Sequence, residues 1–243
     1  MVYTRIGNVV MIKRGSKKIP WPTSVDTILL QIGACAGPFR LPKYCVIWRQ
    51  PRARPHLGLP KWASLLQTQT LHKQNGQRYI VDWQYAYYNS RYAQQRNRMR
   101  LQFCGNGLLV LFAGVGPIPC ILSMNYNFID AVEWNPHAVA LGQQNLKLNA
   151  IKNVTYHEMD VKRFLNAKSA GQYDDCITFS PTCNDSILDK VFSIANRLIH
   201  YRLVSRVDIQ NLSNFYSQYG NVTHRVVKNY CKTQCVCQFI IKK

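Results

Sequence analysis

The stretch Leu109-Val110-Leu111-Phe112-Ala113-Gly114-Val115-Gly116-Pro117, followed by Ala131-Val132-Glu133-Trp134-Asn135-Pro136, decides the fold of this chain. An apolar run ends in a loop of small residues, a segment of helix length follows, and a second apolar run ends in an acid. This order predicts a β-strand, a tight turn, an α-helix and a second β-strand.

The loop after the first of these strands has the features of a nucleoside-cofactor site. Gly114 and Gly116 let the backbone approach a ligand closely, and Glu133 lies 19 residues past Gly114, where a strand end presents a carboxylate to a ribose diol. The loop lacks a Lys-Ser/Thr pair for a triphosphate, and Pro119 and Cys120 replace the third glycine of a dinucleotide motif. The pattern favours S-adenosylmethionine over NAD or ATP. A glycine-bearing turn without a ligand is the alternative that a lone Gly-x-Gly leaves open.

The segments that follow continue the alternation of strand and helix. A helix over residues 136–149 precedes a third strand, Val154-Thr155-Tyr156, and a fourth strand covers residues 176–179. Asp160 follows the third strand and places a carboxylate at its end. The order of these parts predicts a Rossmann-like domain.

Three motifs carry a resemblance to a known family: Phe112-Ala113-Gly114-Val115-Gly116-Pro117, Glu133-Trp134-Asn135-Pro136-His137-Ala138-Val139 and Asn145-Leu146-Lys147-Leu148-Asn149. They resemble the class I tRNA guanine-N1 methyltransferases, which modify the guanosine 3′ to the anticodon. The same superfamily includes the wybutosine-pathway enzyme that transfers an aminocarboxypropyl group from the same cofactor. The resemblance extends upstream through Thr70-Leu71-His72-Lys73-Gln74-Asn75-Gly76 and Tyr87-Tyr88-Asn89-Ser90-Arg91.

The resemblance implies an α/β protein, with a small α+β RNA-binding domain before a Rossmann-like class I methyltransferase domain. We place the first domain, with a linking helix, at residues 1–100 and the second at residues 101–243. The residues expected to bind S-adenosylmethionine are Phe112, Gly114, Gly116, Pro117, Glu133, Asn135 and Asp160.

The resemblance also implies residues on the acceptor side. Arg54, or alternatively Arg52, falls near the family's guanine-contacting Arg, and Tyr87 matches its Tyr. Pro181 matches the last residue of the family's Asn-Leu-Pro loop, and Asp185 is the acid that follows this loop most closely. These four positions, Arg54, Tyr87, Pro181 and Asp185, are the candidate catalytic residues.

Three positions depart from the family pattern. Val110 stands where the family has Asp, Phe179 where it has the Asn that holds the base, and Gln95 where it has Glu. Guanine N1 carries a proton, so its methylation requires a base, and an amide cannot accept that proton. Asp82, Asp185 and His72 are the alternatives, and the sequence selects none of them.

The positive charge lies mainly in the first 100 residues. They contain 17 Lys and Arg against Asp26 and Asp82, a net of +15 out of +20 for the chain. Such an excess attracts phosphate backbones, and aromatic residues that can stack on unpaired bases are interleaved with it. These are Trp48, Trp62, Trp83, Tyr85, Tyr87, Tyr88 and Tyr92. We therefore expect tRNA or another structured RNA as the partner; a solvated basic face with core aromatics is the alternative.

Other patterns in the sequence concern membranes, metal sites and the cellular compartment. No apolar run approaches the roughly 18 residues that span a bilayer, so no membrane partner is expected. Cys231, Cys235 and Cys237 lie in a strand-like segment without a Cys-x2-Cys pair, which predicts buried free thiols and no metal site. An odd number of cysteines, nine, without a signal sequence indicates a reducing compartment. We expect a cytoplasmic protein, with the mitochondrial matrix as the alternative.

Three functions are consistent with the sequence. The first is a tRNA guanine-N1 methyltransferase, which the cofactor loop and Glu133 favour. The second is an RNA-binding protein with a decayed methyltransferase fold, acting in a ribonucleoprotein or its assembly, which Val110, Gln95 and Phe179 favour. The third is an aminocarboxypropyl transferase that uses the same cofactor pocket.

Overall fold

The computed structural model describes residues 3–13, 25–36, 41–49, 67–179 and 185–243. The chain divides into two compact units. The N-terminal unit comprises Met1–Arg98, Gly114–Ile121 and Asn135–Lys152. The sheet unit comprises Met99–Ala113, Leu122–Trp134 and Asn153–Lys243.

The N-terminal unit contains a four-stranded sheet and a separate hairpin. The sheet has the order β1 (Tyr3–Ile6), β2 (Val9–Lys13), β3 (Thr27–Ala36) and β4 (Leu41–Arg49), with β2 and β3 parallel and the other pairs antiparallel. The hairpin joins β5 (Gln69–Gln74) to β6 (Gln77–Asp82). Its turn is Asn75-Gly76, with φ values of 53° and 80°. Asn and Gly tolerate positive φ at both central positions of a two-residue hairpin turn, which explains why the chain reverses there.

Helix α3 (Pro136–Leu148) belongs to the N-terminal unit, and the division between the units passes through α1 (Ala93–Gln102) and α2 (Pro117–Leu122). Two asparagines attach α3 to β6 by backbone hydrogen bonds. The Asn145 side chain accepts a hydrogen bond from Ile80 N at 2.6 Å and donates one to Ile80 O at 3.1 Å. Asn149 makes the same pair of bonds with Arg78, at 2.9 and 2.7 Å. Side chains of the helix and its cap thereby provide hydrogen-bond partners for the backbone N–H and C=O groups of Arg78 and Ile80 at the edge of β6.

The sheet unit is built on a seven-stranded sheet. Five parallel strands carry it: β7 (Gly105–Leu111), β8 (Tyr126–Glu133), β9 (Val154–Glu158), β10 (Tyr173–Thr178) and β11 (Ala195–Ser205). An antiparallel pair, β12 (Asn221–Asn229) and β13 (Gln234–Lys242), completes the order β12-β13-β11-β10-β7-β8-β9. Helices α4 (Val161–Ala167), α5 (Leu188–Ile194) and α6 (Ile209–Tyr216) belong to the same unit.

The central strands of this sheet are buried on both faces. Residues 108–111 of β7 are each fully buried, as are Cys176 and Ile177 of β10. Parallel strands covered on both faces consist of continuous apolar residues, and the run Leu109-Val110-Leu111 of β7 has this property. The chain passes from β7 to β8 on one side, and β10 pairs on the other side of β7, which makes the carboxyl end of β7 the topological switch point.

The predicted α/β class with a Rossmann-like methyltransferase domain is confirmed. The described residues before Ser90 form only strands, turns and their connections, so α1 supplies the helix of the predicted N-terminal domain. The predicted domain boundary at residue 100 falls inside α1 and stays a prediction. Within the described part of the chain, no helix has the length and apolar character to cross a membrane.

Candidate active site

Three predicted cofactor residues lie at the carboxyl edge of the seven-stranded sheet. Phe112 follows β7, Glu133 is the last residue of β8, and Asp160 follows β9 by two positions. Backbone hydrogen bonds hold these strand ends in register: Ala113 N donates to Val132 O at 3.0 Å, and Met159 N donates to Glu133 O at 3.1 Å. The sheet therefore presents these three positions along one edge, at its switch point.

The turn after β7 has an unusual backbone. Phe112 has a φ of 59°, and Gly114 and Gly116 have φ values of 57° and 90°. A bulky residue in the left-handed region is rare and costs free energy, and such strain concentrates at ligand sites. A β-carbon placed on Gly114 would approach nothing closer than Tyr87 O at 3.9 Å. The backbone conformation therefore requires Gly114, whereas the neighbouring protein atoms leave room for a β-carbon. Pro117 occupies the first position of α2, where its fixed φ suits a helix start.

The acids of this edge differ in what they bind. Glu133 is partly exposed, and its Oε1 accepts a hydrogen bond from Trp134 N at 2.9 Å. Asp160 is exposed and caps α4, accepting hydrogen bonds from Lys162 N at 2.9 Å and Arg163 N at 3.2 Å. Its capping role accounts for an acid at this position without a ligand, and the predicted contact with S-adenosylmethionine stays a prediction.

Within the N-terminal unit, Asn135 connects the start of α3 to the segment that carries Tyr87. Asn135 is buried, its Oδ1 accepts a hydrogen bond from His137 N at 3.1 Å, and its Nδ2 donates to Tyr85 O at 2.8 Å. Tyr87 is 40% exposed, and its hydroxyl accepts a hydrogen bond from Asn89 Nδ2 at 3.3 Å. This unit therefore brings together Gly114, Asn135 and Tyr87, two cofactor candidates and one acceptor-side candidate.

The position of the family's Glu is buried. Gln95 is only 5% exposed, and the neighbouring Arg96 is 4% exposed. Arg96 donates hydrogen bonds to Gln74 Oε1 and to Asn89 O, the latter at 2.9 Å, and its guanidinium lies 5.0 Å from the centre of the Tyr88 ring. Arg96 is therefore buried within the N-terminal unit, where its guanidinium binds the backbone at Asn89.

The three alternative bases are all engaged in structural contacts. Asp82 is buried and accepts hydrogen bonds from the Thr68 hydroxyl and from the N–H groups of Gln84 and Tyr85. His72 accepts a hydrogen bond from Gly7 N at 3.1 Å. Burial, and then the charge of Arg96, lower the pKa of His72 to about 4, which makes it a weak base at neutral pH.

Asp185 lies in a cluster of the sheet unit with residues of β11 and α6. Its Oδ1 accepts hydrogen bonds from Arg202 Nη1 at 2.5 Å and from the Tyr216 hydroxyl at 2.9 Å, and His200 Nε2 lies 3.7 Å away. Burial alone would raise the pKa of Asp185, but the contacts with His200, Arg202 and Tyr216 outweigh it and hold the pKa well below its usual range. A carboxylate so stabilised in its charged form is a poor proton acceptor.

The remaining predicted residues lie outside the described residues or next to them. Arg52, Arg54, Trp62 and Pro181 lie outside the described residues. Phe179, the last residue before that gap, packs against the buried Tyr201, with the ring centres 4.5 Å apart. Of the aromatics expected to stack on bases, Trp83 and Tyr92 are instead buried in the protein core, whereas Tyr85 and Tyr87 are each 40% exposed.

Comparison with known proteins decides the family. Residues 70–232, about two thirds of the chain, match the TRM5/TYW2 methyltransferase domain. The chain belongs to this family. The TRM5/TYW2 family is S-adenosylmethionine-dependent, which confirms the cofactor predicted from the loop.

Individual relatives agree with this assignment. The tRNA (guanine(37)-N(1))-methyltransferase Trm5b of Methanocaldococcus jannaschii is 28% identical over 175 residues, which are 70% of this chain and 50% of that protein. The solved complex of aTrm5 with tRNALeu superposes with a TM-score of 0.81 at 19% identity, over 100% of this chain and 72% of the other. The M. jannaschii TYW2 structure in complex with AdoMet gives 0.69 at 18% identity, over 100% of both chains. The two structures show the fold, and the chain spans half the length of the Trm5b relative.

The sequence did not reveal several contacts of this TRM5/TYW2 domain. The partners of Asp185 come from β11 and α6, and the pairing of Tyr85 with Asn135 joins residues 50 positions apart. Cys235 and Cys237 are buried free thiols as predicted, whereas Cys231 is exposed. Among the described residues, no group of three or more His, Cys, Asp or Glu is arranged to hold a metal ion.

Proposed function

We propose that this chain is an S-adenosylmethionine-dependent tRNA methyltransferase that modifies N1 of the guanosine 3′ to the anticodon. The observation that carries the proposal is the switch point of the seven-stranded sheet, where Phe112 is held at positive φ and Glu133 ends the adjacent strand. The M. jannaschii relative, named for this reaction at guanosine 37, supports the choice of substrate.

The residues present fit the cofactor. Phe112 and Gly114 adopt the left-handed backbone conformation that is common at ligand sites, and Glu133 offers a partly exposed carboxylate to ribose hydroxyls. Asp160 is the candidate contact with adenine, and Gly116, Pro117 and Asn135 complete the loop and helix start. When bound, S-adenosylmethionine supplies the methyl group that the acceptor attacks.

The charge of the N-terminal part supports RNA as the partner. Its net of +15 over the first 100 residues favours a polyanion through counterion release. Tyr87, with Arg54 beyond the described residues, is the candidate for holding the target base, because a partly exposed tyrosine can stack on a base or donate a hydrogen bond to it. A ribonucleoprotein as a further partner stays a prediction.

Loss of the N1 proton is the step that this chain supports least. The buried amide of Gln95 cannot accept a proton, and Asp185 and His72 are weak bases in their surroundings. We therefore expect slow transfer compared with a chain that carries Glu at this position, because general-base assistance contributes about 10²- to 10⁴-fold.

A second candidate function follows from the same departures. Two of the residues that depart from the family pattern are part of the packed protein. Gln95 is a buried amide, and the Phe179 ring packs on Tyr201. An RNA-binding protein that has lost catalysis would tolerate these residues. The aminocarboxypropyl transfer of the wybutosine pathway is the third possibility, since it uses the same cofactor.

Two measurements separate these functions. Calorimetry of the full chain with S-adenosylmethionine should show micromolar binding, and the absence of binding would favour the RNA-binding scaffold. Transfer of a labelled methyl group should occur to a tRNA transcript with guanosine 3′ to the anticodon and not to the same transcript with adenosine there. Equal transfer to both transcripts would contradict the proposed site of modification, and transfer of label only from the carboxypropyl moiety would identify the third function.

A further inference from the structure

Tyr85 and His137 form an exposed stacked pair of rings in the N-terminal unit. Their ring centres are 5.1 Å apart with 23° between the planes, Tyr85 is 40% exposed, and His137 is exposed at the start of α3. Among the ring pairs of the described residues, the other stacked pair is Phe192 with Tyr219, in which Phe192 is buried. Stacking of two exposed rings leaves flat aromatic surface available to a further planar group.

The backbone of both rings is fixed from inside. The buried Asn135 side chain accepts the hydrogen bond of His137 N and donates to Tyr85 O, so one amide holds both residues. Asp82, which is 3% exposed, accepts a hydrogen bond from Tyr85 N at 3.1 Å and another from the Thr68 hydroxyl at 2.7 Å. A ligand that stacks on this pair would therefore lose little free energy to ordering the protein.

The charge of the N-terminal unit, which carries the pair, favours a polyanion. The N-terminal unit contains 18 Lys and Arg against two acids, Asp26 and Asp82. These acids are only 7% and 3% exposed, so no carboxylate side chain of this unit lies on the surface. A polyanion bound to this unit would meet an excess of cations and no surface carboxylate of the same unit. Proteins bind single-stranded nucleic acids by combining such a positive charge with aromatic rings that stack on the bases.

Within the N-terminal unit, the pair also lies next to residues that carry candidate site positions. Tyr85 is two residues before Tyr87, whose carbonyl oxygen lies closest to the β-carbon position of Gly114 in the cofactor loop. His137 is two residues after Asn135, at the helix start that follows Glu133. A base stacked on these rings would belong to a nucleotide near the modified one, not to a distant part of the RNA.

We infer that the Tyr85–His137 pair is a stacking platform for one unpaired base of the RNA substrate, next to the modified nucleotide. The inference rests on the proposed function for the identity of the RNA. The platform requires the two aromatic planes and no base-specific hydrogen bond, so it positions the RNA without selecting its sequence.

The test uses the full chain and an unmodified tRNA transcript with guanosine 3′ to the anticodon. Tyr85→Ala should weaken tRNA binding by about 5- to 150-fold, the range for loss of one stacked base. Tyr85→Phe, which keeps the ring, should bind tRNA like the unsubstituted chain. The dissociation constant for S-adenosylmethionine should stay unchanged in both variants. His137→Ala, at an exposed helix position, should also weaken tRNA binding and provides a second variant if Tyr85→Ala fails to fold.

Tyr230→Ala is the matched control, because Tyr230 is 69% exposed between β12 and β13 in the other unit. Unchanged tRNA affinity in folded Tyr85→Ala and His137→Ala would overturn the inference while leaving the methyltransferase proposal intact. An equal loss of S-adenosylmethionine affinity would also overturn it, by identifying the stacked group as the cofactor's adenine. Weaker tRNA binding in a chain that transfers no methyl group would support the platform and contradict the enzyme.

Discussion

Glu133 is the side chain on which the cofactor site depends most. It ends β8, is partly exposed, and keeps one oxygen on Trp134 N. We predict that Glu133→Ala weakens S-adenosylmethionine binding at least about tenfold, because charge-assisted hydrogen bonds to ribose contribute roughly 1.5–3 kcal/mol. Calorimetry measures the effect, and Asp208→Ala, which removes another exposed acid, is the control. Unchanged affinity in a folded Glu133→Ala chain would show that Glu133 does not bind the ribose.

Gln95 allows the missing carboxylate to be restored. The side chain is 5% exposed, so a carboxylate at this position would be desolvated and its pKa raised toward neutrality. We predict that Gln95→Glu raises the methylation rate by about 10²-fold or more, since general-base assistance contributes about 10²- to 10⁴-fold. Single-turnover kinetics on tRNA measures the rate, with the exposed neighbour substituted as Gln94→Glu for comparison. An inactive parent chain with an equally inactive Gln95→Glu would favour the RNA-binding scaffold.

His72 makes stability depend on pH. Its pKa is lowered from 6.5 to about 4 by burial and then by Arg96, so between these values the folded chain binds fewer protons than the unfolded chain. The free energy of unfolding should therefore fall as the pH drops from 6.5 toward 4. We predict that His72→Gln makes the free energy of unfolding less dependent on pH, because the difference in protons bound by the unfolded and folded chains falls by up to about one. Denaturant unfolding of both chains at pH 6.5 and pH 5 provides the test, and parallel pH profiles would contradict it.

Helix α3 is held to its unit by polar contacts as well as by apolar packing. Asn145 is fully buried and bonds Ile80 N, Ile80 O and Val115 O, which connects the helix to β6 and to the cofactor loop. Asn145→Leu keeps the approximate volume but leaves three buried backbone groups without partners, at about 1–3 kcal/mol each. We predict that it lowers the free energy of unfolding by at least about 3 kcal/mol.

Chemical denaturation of the Asn145→Leu chain measures this loss. Gln144→Leu is the matched control, since Gln144 is the exposed neighbour on the same helix and should change stability by less than about 0.5 kcal/mol. Equal effects of the two substitutions would mean that apolar packing alone holds α3.

Strands and helices were predictable from the sequence where the pattern was local. The apolar run of β7, the start of α3 at Pro136, and the strand-like segment around Cys235 that forms β13 each follow from neighbouring residues. The contact between Asn145 and Ile80 was not predictable, because the two residues are 65 positions apart and an asparagine in a helix has no distinguishing neighbours. Arg96 illustrates the same difficulty, since its exposed neighbours Arg98 and Arg100 carry the same charge in the same helix.

Some features of the candidate site were also predictable from local sequence, and others depended on distant residues. The spacing from Gly114 to Glu133 predicted two neighbouring strand ends, because chain connectivity in a parallel sheet determines where the second strand ends. The partners of Asp185 depended on β11, which pairs with β10 but is separated from it by a further helix, so a lowered pKa of Asp185 could not be expected from the sequence. The properties of residues whose partners are distant in sequence could therefore be recognised only from the structure.

The proposed function assigns one reaction to this chain, methyl transfer to N1 of the guanosine 3′ to the anticodon. The measurement that tests this most directly is mass spectrometry of nucleosides from a tRNA transcript incubated with the full chain and S-adenosylmethionine carrying a labelled methyl group. We predict labelled 1-methylguanosine at the position 3′ to the anticodon, formed slowly and made faster by Gln95→Glu. Absence of any labelled nucleoside from both chains, with tRNA still bound, would contradict the methyltransferase function.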